Sequence, residues 1–440
     1  MKEKKVLKTK QISHSWKKWT ALAACAALAI GFVSVFLNWS NSNSDEALLD
    51  VVFPKAYAFD DYDTKQAIID GNPADDTFLM ALNEFSYKTA AQLLTDNSGN
   101  ANYSPLSLYY ALAMAASGAN GETANELLSL LGVSDPATLS DQCGNLYRRL
   151  YTDNKIGKLK IGNSLWMDKK INWDNNFINN IAENFYSHSY SVDFSDTKTG
   201  QSIAKWISDN TNGTLKPEVE TNPEQILCIL NTVYFYDEWM DKFDKSGTAE
   251  DIFYLSDSTT MNCDFMNKTY SSSVFAKGDG FTRSSLSLKN AGSMIFILPD
   301  EGISPRELVS TPEKIRDVFE NGEGVHGEVV WQIPKFSFGS RFDIVNTLQN
   351  LGVNSAFNQD ADFSGITNHM AFITSIHQET CISIDENGVE ASAFTQINYS
   401  GDTLPEDRAD MILNRPFIYG ITASDGTLLF IGICENPTVK

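Results

Sequence analysis

Apolar residues recur at helical spacing in the first third of the chain. Phe78, Leu82 and Phe85 would share one face of a helix that begins at Thr77. Ser104 is a plausible N-cap for a second helix over residues 108–116, with Pro105 in its first turn. A third helix is predicted over residues 121–131.

Alternating or continuously apolar segments, which are typical of strands, dominate the rest of the chain. A helix over residues 343–351, which Gly352 would end, is the exception. Because helices come first and strands later, without βαβ alternation, the pattern predicts an α+β fold. The predicted strands cover residues 160–167, 227–236, 294–298, 328–333, 417–422 and 428–433, and the last two form a hairpin around Asp425 and Gly426.

Residues 386–404 combine the pattern of a strand with the position of a loop. They follow the strand-like residues 381–385 and contain no proline, and Gly388 permits a hinge. An ordinary surface loop is the simpler interpretation. The alternative is a segment that is exposed in one state and becomes a central strand in another. In that strand the inward positions would be Val389, Ala391, Ala393 and Thr395.

The N-terminal region predicts export from the cytoplasm. Residues 1–20 carry seven lysines and one glutamate, and they precede an apolar run over residues 21–37. By the positive-inside rule the basic segment stays in the cytoplasm, and the apolar run is either a transmembrane anchor or a cleaved signal segment. Residues 38–76 are polar and are predicted to be a tether. Residues 77–440 would form the folded domain.

Composition and motifs restrict the possible functions. The net charge of −22 argues against nucleic acid as a partner. The sequence has no glycine-rich phosphate loop, no G-x-S-x-G nucleophile motif and no H-E-x-x-H zinc motif. The five histidines and six cysteines do not show the spacing of a metal site. We therefore predict neither an enzyme nor a cofactor or metal.

Eight short motifs occur in order along the chain. They are N-Y-S-P-L-S at 102–107, N-T-V-Y-F at 231–235 with Trp239, F-I-L-P-D at 296–300, I-P-K-F at 333–336, L-G-V at 351–353, D-F-S-G-I at 362–366, D-E-N-G-V-E-A at 385–391 and N-R-P-F at 414–417. Together they resemble the motifs of the serpins, a family whose inhibitory members trap serine or cysteine proteases. The resemblance covers about 360 residues, from about Thr77 to Pro437.

The resemblance implies three β-sheets, eight to nine helices and an exposed reactive-centre loop. It also implies a suicide-substrate mechanism, in which a protease attacks the loop and forms an acyl-enzyme. The cleaved loop then inserts into the main sheet and distorts the protease. The partner would be a serine protease held in a covalent complex, and the inhibitor would act as a monomer. A non-inhibitory serpin that serves as a binding or chaperone module is the alternative.

The resemblance also assigns roles to individual residues. In the family the hinge begins loop insertion, the breach is where insertion starts, and the shutter holds the central strands together. A histidine belongs in the shutter, and the spacing leaves open whether His377 or Gln378 takes its place. The hinge would be Glu386, Gly388, Val389, Glu390, Ala391, Ser392 and Ala393; the shutter Ser104, Ser107, Asn231, His377 and Gln378; and the breach Trp239, Lys335 and Glu386, with Lys335 paired to Glu386.

The position of the reactive bond depends on the direction of counting. Seventeen residues from Glu386 give the bond between Asp402 and Thr403, whereas counting back from the R-P-F motif gives a bond nearer Leu404 or Pro405. Asp402 suits proteases that require an acidic residue, Thr403 or Leu404 suit elastase- or chymotrypsin-like enzymes, and Arg408 suits a trypsin-like one. An elastase- or chymotrypsin-like serine protease is the expected target. The export segment is bacterial in style and places the protein outside the cell, secreted or membrane-anchored.

Overall fold

The structure is a computed structural model that describes residues 47–290, 292–389 and 407–439. Hydrogen-bonding side chains and prolines set the starts of several helices. Ser104 accepts a hydrogen bond from the Ser107 amide, and Asp135 and Asp174 cap two further helices in the same way. The helices are α1 Tyr62–Gly71, α2 Asp76–Asp96, α3 Pro105–Ala116, α4 Gly121–Leu131, α5 Pro136–Leu150, α6 Asn175–Asn184, α7 Thr197–Asn210, α8 Pro305–Leu308, α9 Pro312–Glu320 and α10 Val345–Asn350.

The strands are β1 Ala101–Tyr103, β2 Thr152–Asp153, β3 Gly157–Asp168, β4 Ser187–Val192, β5 Leu227–Glu238, β6 Ala249–Tyr254, β7 Thr260–Gly278, β8 Phe281–Ser287, β9 Ser293–Pro299, β10 Val325–Pro334, β11 Phe336–Asp343, β12 His377–Ile384, β13 Gly388–Val389, β14 Arg408–Ile412, β15 Phe417–Thr422 and β16 Leu428–Cys434. The described strands form three sheets. The largest has the order β1-β16-β15-β9-β8-β7-β10-β14, and β6 pairs with β7.

The other two sheets are the ones that matter for function. One, which we call the β5 leaf, has the order β13-β5-β3-β2, with β4 paired to β3. The other, the β12 leaf, contains β11 and β12. Helix α3 packs against β5 and β16, and its buried residues belong to the main hydrophobic core. A smaller apolar cluster, which includes Trp166 of β3 and Trp206 of α7, packs helix α7 on the β5 leaf.

The α+β prediction is confirmed, and most predicted elements are present with small changes at their ends. Phe78, Leu82 and Phe85 are buried on one face of α2. Helix α4 and strand β15 have the predicted limits. The predicted helix over residues 343–351 is shorter, because β11 extends to Asp343.

Part of the predicted tether over residues 38–76 is folded. Residues 62–71 form α1, in which the Asp61 side chain accepts a hydrogen bond from the Thr64 amide. The compact unit that contains the sheets begins at Ala47. The sequence did not predict α1, because this helix buries none of its residues fully and therefore has no strong apolar face.

None of the helices in the described part of the chain is both long enough and apolar enough to cross a membrane. Residues 1–20 and the predicted anchor or signal segment over residues 21–37 lie outside the described residues.

Candidate functional site

A cleft separates the β5 leaf from the β12 leaf. Among the described strands, β5 and β12 do not pair with each other, and only the short β13 connects their ends. The cleft is lined by residues 232–235 of β5 on one side and by residues 379–383 of β12 on the other. Its walls and floor include Val233 and Phe235 of β5, Thr380 and Ile382 of β12, Ser107 of α3 and Phe430 of β16.

Strand β13 forms the predicted hinge at one end of the cleft. Gly388 and Val389 pair antiparallel with Glu238 and Asp237 at the end of β5, and Asp385 forms a bridge back to Gly388. At Gly388 φ is +154°, and a Cβ there would lie 2.4 Å from the Asp237 carbonyl oxygen. Glycine is therefore required for the close approach of the two strands. The remaining hinge positions, residues 390–393, lie outside the described residues.

The predicted breach residues meet beside the hinge. Lys335 Nζ lies 3.1 Å from Glu386 Oε1, which confirms the predicted pairing of these two residues. The Trp239 indole N–H donates to the Asp385 carbonyl oxygen at 3.0 Å, and Trp239 is buried. The Thr248 hydroxyl also donates to Glu386 Oε1, at 2.8 Å. Glu386 is thus held from two sides, at the point where the chain turns from β12 into β13.

These contacts control the ionisation of Glu386. Burial opposes its charged form, but hydrogen bonds from a backbone amide and the Thr248 hydroxyl and the nearby Lys335 ammonium outweigh burial. The pKa of Glu386 is consequently below its usual value. Because the folded pKa lies below the unfolded one, the charged Glu386 contributes stability at neutral pH that is lost as pH falls through the folded pKa.

We therefore expect Glu386→Gln to lower the free energy of unfolding by about 1.5–3 kcal/mol at pH 7, the usual contribution of hydrogen bonds to a charged group. The difference from the wild type should shrink as pH falls through the lowered folded pKa of Glu386, because the wild-type carboxylate then becomes protonated. Urea unfolding at several pH values measures both effects. Asp209→Asn, which removes the exposed partner of Lys205, is the control and should change little. A difference that persists at low pH would contradict the ionic origin.

Part of the predicted shutter holds the β12 leaf to helix α3. The Ser104 amide donates to Gln378 Oε1 at 3.0 Å, and Gln378 Nε2 donates to the Ser104 carbonyl oxygen at 2.9 Å. The Ser104 hydroxyl donates to the Leu429 carbonyl oxygen at 2.8 Å and also receives the Ser107 amide. One glutamine amide therefore satisfies both backbone groups of Ser104, where the chain enters α3.

His377 does not join this network, so the prediction that it lies among the shutter residues is wrong. His377 is exposed, whereas Gln378 is buried. The reason is alternation along β12: Gln378 lies opposite Phe342 of β11, which faces the core, and His377 lies opposite Asp343, which is exposed. Of the two candidates that the spacing left open, the structure places Gln378 beside Ser104.

Asn231 belongs to the other side of the cleft. Its Nδ2 donates to Asn163 Oδ1 at 2.6 Å, and Asn163 in turn donates to the Phe185 carbonyl oxygen at 2.6 Å. Within the described chain, no hydrogen bond joins Asn231 to Ser104 or Gln378, and the buried Asn231 Oδ1 has no partner. The shutter residues are therefore divided between the two leaves, and each group is bonded within its own side.

Sequence reasoning missed several residues of this site. Asn163 was recognisable only through the β3–β5 register, which sets it opposite Asn231. Thr248 lies far from Glu386 in sequence and matches no motif. Glu238, the buried last residue of β5, binds Lys289 Nζ at 2.8 Å. Strand β13 therefore pairs with the end of β5, where Glu238 forms a buried ion pair. The spacing of residues in the sequence does not predict this pairing.

The predicted reactive bonds, at Asp402, Thr403 and Leu404, lie outside the described residues. Arg408, the trypsin-like alternative, is described, and it lies in β14. Its guanidinium contacts Asp410 at 2.7 Å and Glu328 of β10 at 2.6 Å. A residue paired into a sheet is unsuited to enter a protease active site, so Arg408 is not supported as the bait residue.

Among the described residues, no three His, Cys, Asp or Glu side chains are grouped so that they could hold a metal ion. The described cysteines, which include the buried Cys143 and Cys434, form no disulfide with one another. Burial raises the pKa of both thiols.

Comparisons with known proteins agree with this architecture. The chain is 29% identical over 383 residues to Serpin-ZX of Arabidopsis thaliana, a match that covers 81% of this chain and 97% of that protein. It is 28% identical to Alpha-1-antiproteinase F of Cavia porcellus, covering 79% of this chain and 88% of that protein.

Solved structures show the same fold. The native state of the thermophilic serpin tengpin matches with a TM-score of 0.74 and 28% identity, covering 83% of this chain and 95% of that one. A thyroxine-binding globulin complex with thyroxine matches with a TM-score of 0.70 at 23% identity, covering 82% and 99%. The family model Serpin (serine protease inhibitor) matches residues 80–437, and the chain therefore belongs to the serpin family.

Proposed function

We propose that this serpin is a suicide-substrate inhibitor of serine proteases and that its cleaved loop inserts between β5 and β12. The observation that carries the proposal is the cleft between these strands, together with a hinge that has already begun a strand on β5. Most serpins inhibit proteases. The protein would act as a trap that is consumed in the reaction and not as an enzyme.

The register of the hinge supports insertion. Continuing the β13–β5 pairing sets Ala391 opposite Phe235, and continuing the Asp385–Gly388 bridge along β12 sets it opposite Ile382. Both neighbours are buried and face the core. Directly opposite residues in a sheet point to the same face, so Ala391 would point inward, as the alternation in the sequence predicts. Small inward residues fit a strand that must enter a packed sheet.

Polar groups at the middle of the cleft fit the same register. Continued to Thr395, the same two pairings would set this residue between Asn231 and Gln378. Asn231 Oδ1 is buried without a partner among the described residues, and a buried acceptor in that condition costs free energy. An inserted Thr395 hydroxyl would be positioned to donate to it. Insertion would therefore satisfy a polar atom that the cleft leaves unsatisfied.

The chemistry is that of an interrupted hydrolysis. The protease serine would attack the carbonyl carbon of Asp402, the peptide bond to Thr403 would break, and the new amine of Thr403 would take a proton as it leaves. The resulting ester would link the protease to Asp402. Insertion of the seventeen residues from Glu386 to Asp402 would carry the protease roughly 55 Å at about 3.3 Å per residue. Before cleavage, the native state would persist through a kinetic barrier.

An elastase- or chymotrypsin-like serine protease remains the expected target, and the reactive bond at Asp402 remains a prediction from residue counting. Export through residues 21–37, as a secreted or membrane-anchored monomer outside the cell, is likewise a prediction. It would be contradicted if the protein were found only in the cytosolic fraction.

The test is to mix the full-length protein with a panel of serine proteases and to run denaturing gels. We expect an adduct that survives SDS, together with a small C-terminal peptide whose mass identifies the cleaved bond. A peptide that begins at Thr403 would place the bond after Asp402, and one that begins at Leu404 would move it by one residue. Cleavage without an adduct for every protease would contradict inhibition and favour a non-inhibitory binding or chaperone role.

A further inference from the structure

Residues 47–58, which we call the N-terminal strap, lie along the outer edge of the β5 leaf. Ala47 forms an antiparallel bridge with Tyr190 of β4, and the Leu48 amide donates to the Ser189 carbonyl oxygen at 2.8 Å. In the described part of the chain, β4 pairs with β3 alone and is an outer strand of this leaf, as is the shorter β2. The strap thus covers backbone that an edge strand would otherwise leave open to solvent.

The side chains of the strap dock on the domain selectively. Leu49 and Val51 pack against the main hydrophobic core, whereas Asp50 between them is exposed and Val52 is 85% exposed. The Phe53 ring lies 5.4 Å from the His188 ring of β4 and 6.1 Å from the Tyr186 ring. Ring pairs at these distances add specific attraction to the burial of apolar surface. The strap is therefore a docked segment and not a passive linker.

The far end of the strap reaches the residues that support the hinge. Asn154 Nδ2 contacts both the Tyr57 carbonyl oxygen, at 3.5 Å, and Asn290 Oδ1, at 2.7 Å. Asn290 donates through its amide and side chain to the Asp237 carboxylate, at 2.8 and 2.9 Å. Lys65 of α1 adds a contact to the Asn290 carbonyl oxygen at 3.3 Å.

Asn290 belongs to the turn between β8 and β9 of the largest sheet, and Asp237 is the residue with which Val389 pairs. The strap therefore connects β4, on the outer edge of the β5 leaf, to a turn of a different sheet. A strand that enters the cleft must lie about 4.8 Å from each neighbour, which requires the β5 leaf to adjust as a unit because its strands are hydrogen-bonded.

We propose that the N-terminal strap restrains the β5 leaf and so sets the rate of premature loop insertion. This inference rests on the proposed function for its consequence, since premature insertion would inactivate the inhibitor. The restraint itself rests only on the contacts of residues 47–58. Its effect is kinetic: contacts at the edge of the leaf slow the separation of the two leaves without touching the reactive bond.

Two variants of the full-length protein test the proposal. Leu49→Ser with Val51→Ser removes the two apolar anchors, and Phe53→Ala is a milder change at a partly exposed ring. Val52→Ser is the matched control, since this side chain makes no buried contact. One measurement is amide hydrogen exchange of β4. The other is the rate of loop insertion in the intact chain, incubated without protease. Insertion is followed as a loss of susceptibility to cleavage in the loop and as a gain of resistance to unfolding by urea.

We expect β4 exchange and loop insertion to be about tenfold faster in Leu49→Ser with Val51→Ser, which corresponds to a barrier lower by about 1.4 kcal/mol. The increase should be smaller in Phe53→Ala, and Val52→Ser should leave both rates unchanged. Equal rates in all four proteins would overturn the proposal, and so would faster exchange in the variants if the wild type inserts its loop at a measurable rate and the variants insert theirs at the same rate. If β4 exchange rises but no form of the chain ever becomes resistant to urea and no protease is trapped, the restraint is supported and the proposed inhibition fails.

Discussion

Ala391→Arg is expected to convert the inhibitor into a protease substrate. In the inserted strand Ala391 would lie between Phe235 and Ile382 and would point into the core. An arginine there would bury an unpaired charge, which costs several kcal/mol. Insertion competes with hydrolysis of the acyl-enzyme, so a barrier raised by about 3 kcal/mol would reduce trapping by about 100-fold.

The readout is the fraction of protease held in the SDS-stable adduct compared with the fraction released active. Glu390→Arg is the matched control, because the neighbouring position would face outward, opposite Ser383, and already carries a charge in the native sequence. It should retain most of the trapping. Equal losses in the two variants would show that the register is wrong, and trapping by Ala391→Arg would show that insertion does not hold the protease.

A second measurement on the same variants does not depend on finding the physiological target. Any protease that nicks the loop of the wild type should yield a cleaved form that resists thermal unfolding, since the inserted strand completes the sheet. Nicked Ala391→Arg should keep the thermal stability of the intact protein. A nicked variant as resistant as the nicked wild type would contradict the inward position of Ala391.

The fold and the hinge were accessible from the sequence because they depend on local patterns. The run from Gly388 shows strand alternation and small inward residues, and the register of β13 agrees with it. The ion pair between Lys335 and Glu386 followed from the family resemblance. Ser104 was recognisable as an N-cap, since the serine–proline start of a helix is a local signal.

Other features depend on contacts that local patterns do not encode. The spacing left His377 and Gln378 equivalent, and only the pairing of β12 with β11 decided between them. Strand β7 was missed although it is long, because its middle and ends are exposed and lack a clean alternation. Polar composition does not predict the N-terminal strap, because Ala47 and Leu48 have exposed side chains and dock through their backbone.

Gln378→Ala is expected to destabilise the native state by about 1–3 kcal/mol. Gln378 serves both the amide and the carbonyl oxygen of Ser104. Its loss would leave the buried amide without that partner, at a cost of about 1–3 kcal/mol, whereas the carbonyl oxygen would keep the bond from the Leu108 amide. Urea unfolding measures the loss. His377→Ala, at the exposed neighbouring position, is the control and should change stability by less than about 0.5 kcal/mol.

Gln378→His tests whether the site needs both the donor and the acceptor of the glutamine amide or only a polar side chain. A neutral imidazole offers one donor and one acceptor, but the protonated form has no acceptor for the Ser104 amide. Burial would also disfavour the charged form, so the folded pKa of this histidine would fall below about 6.5. The free energy of unfolding of this variant should be highest above about pH 6.5 and should decrease as pH falls through the folded pKa of the histidine. The wild type, with glutamine at this position, should show no such decrease. A pH-independent Gln378→His variant, or a stable Gln378→Ala, would show that the Ser104 backbone does not depend on this side chain.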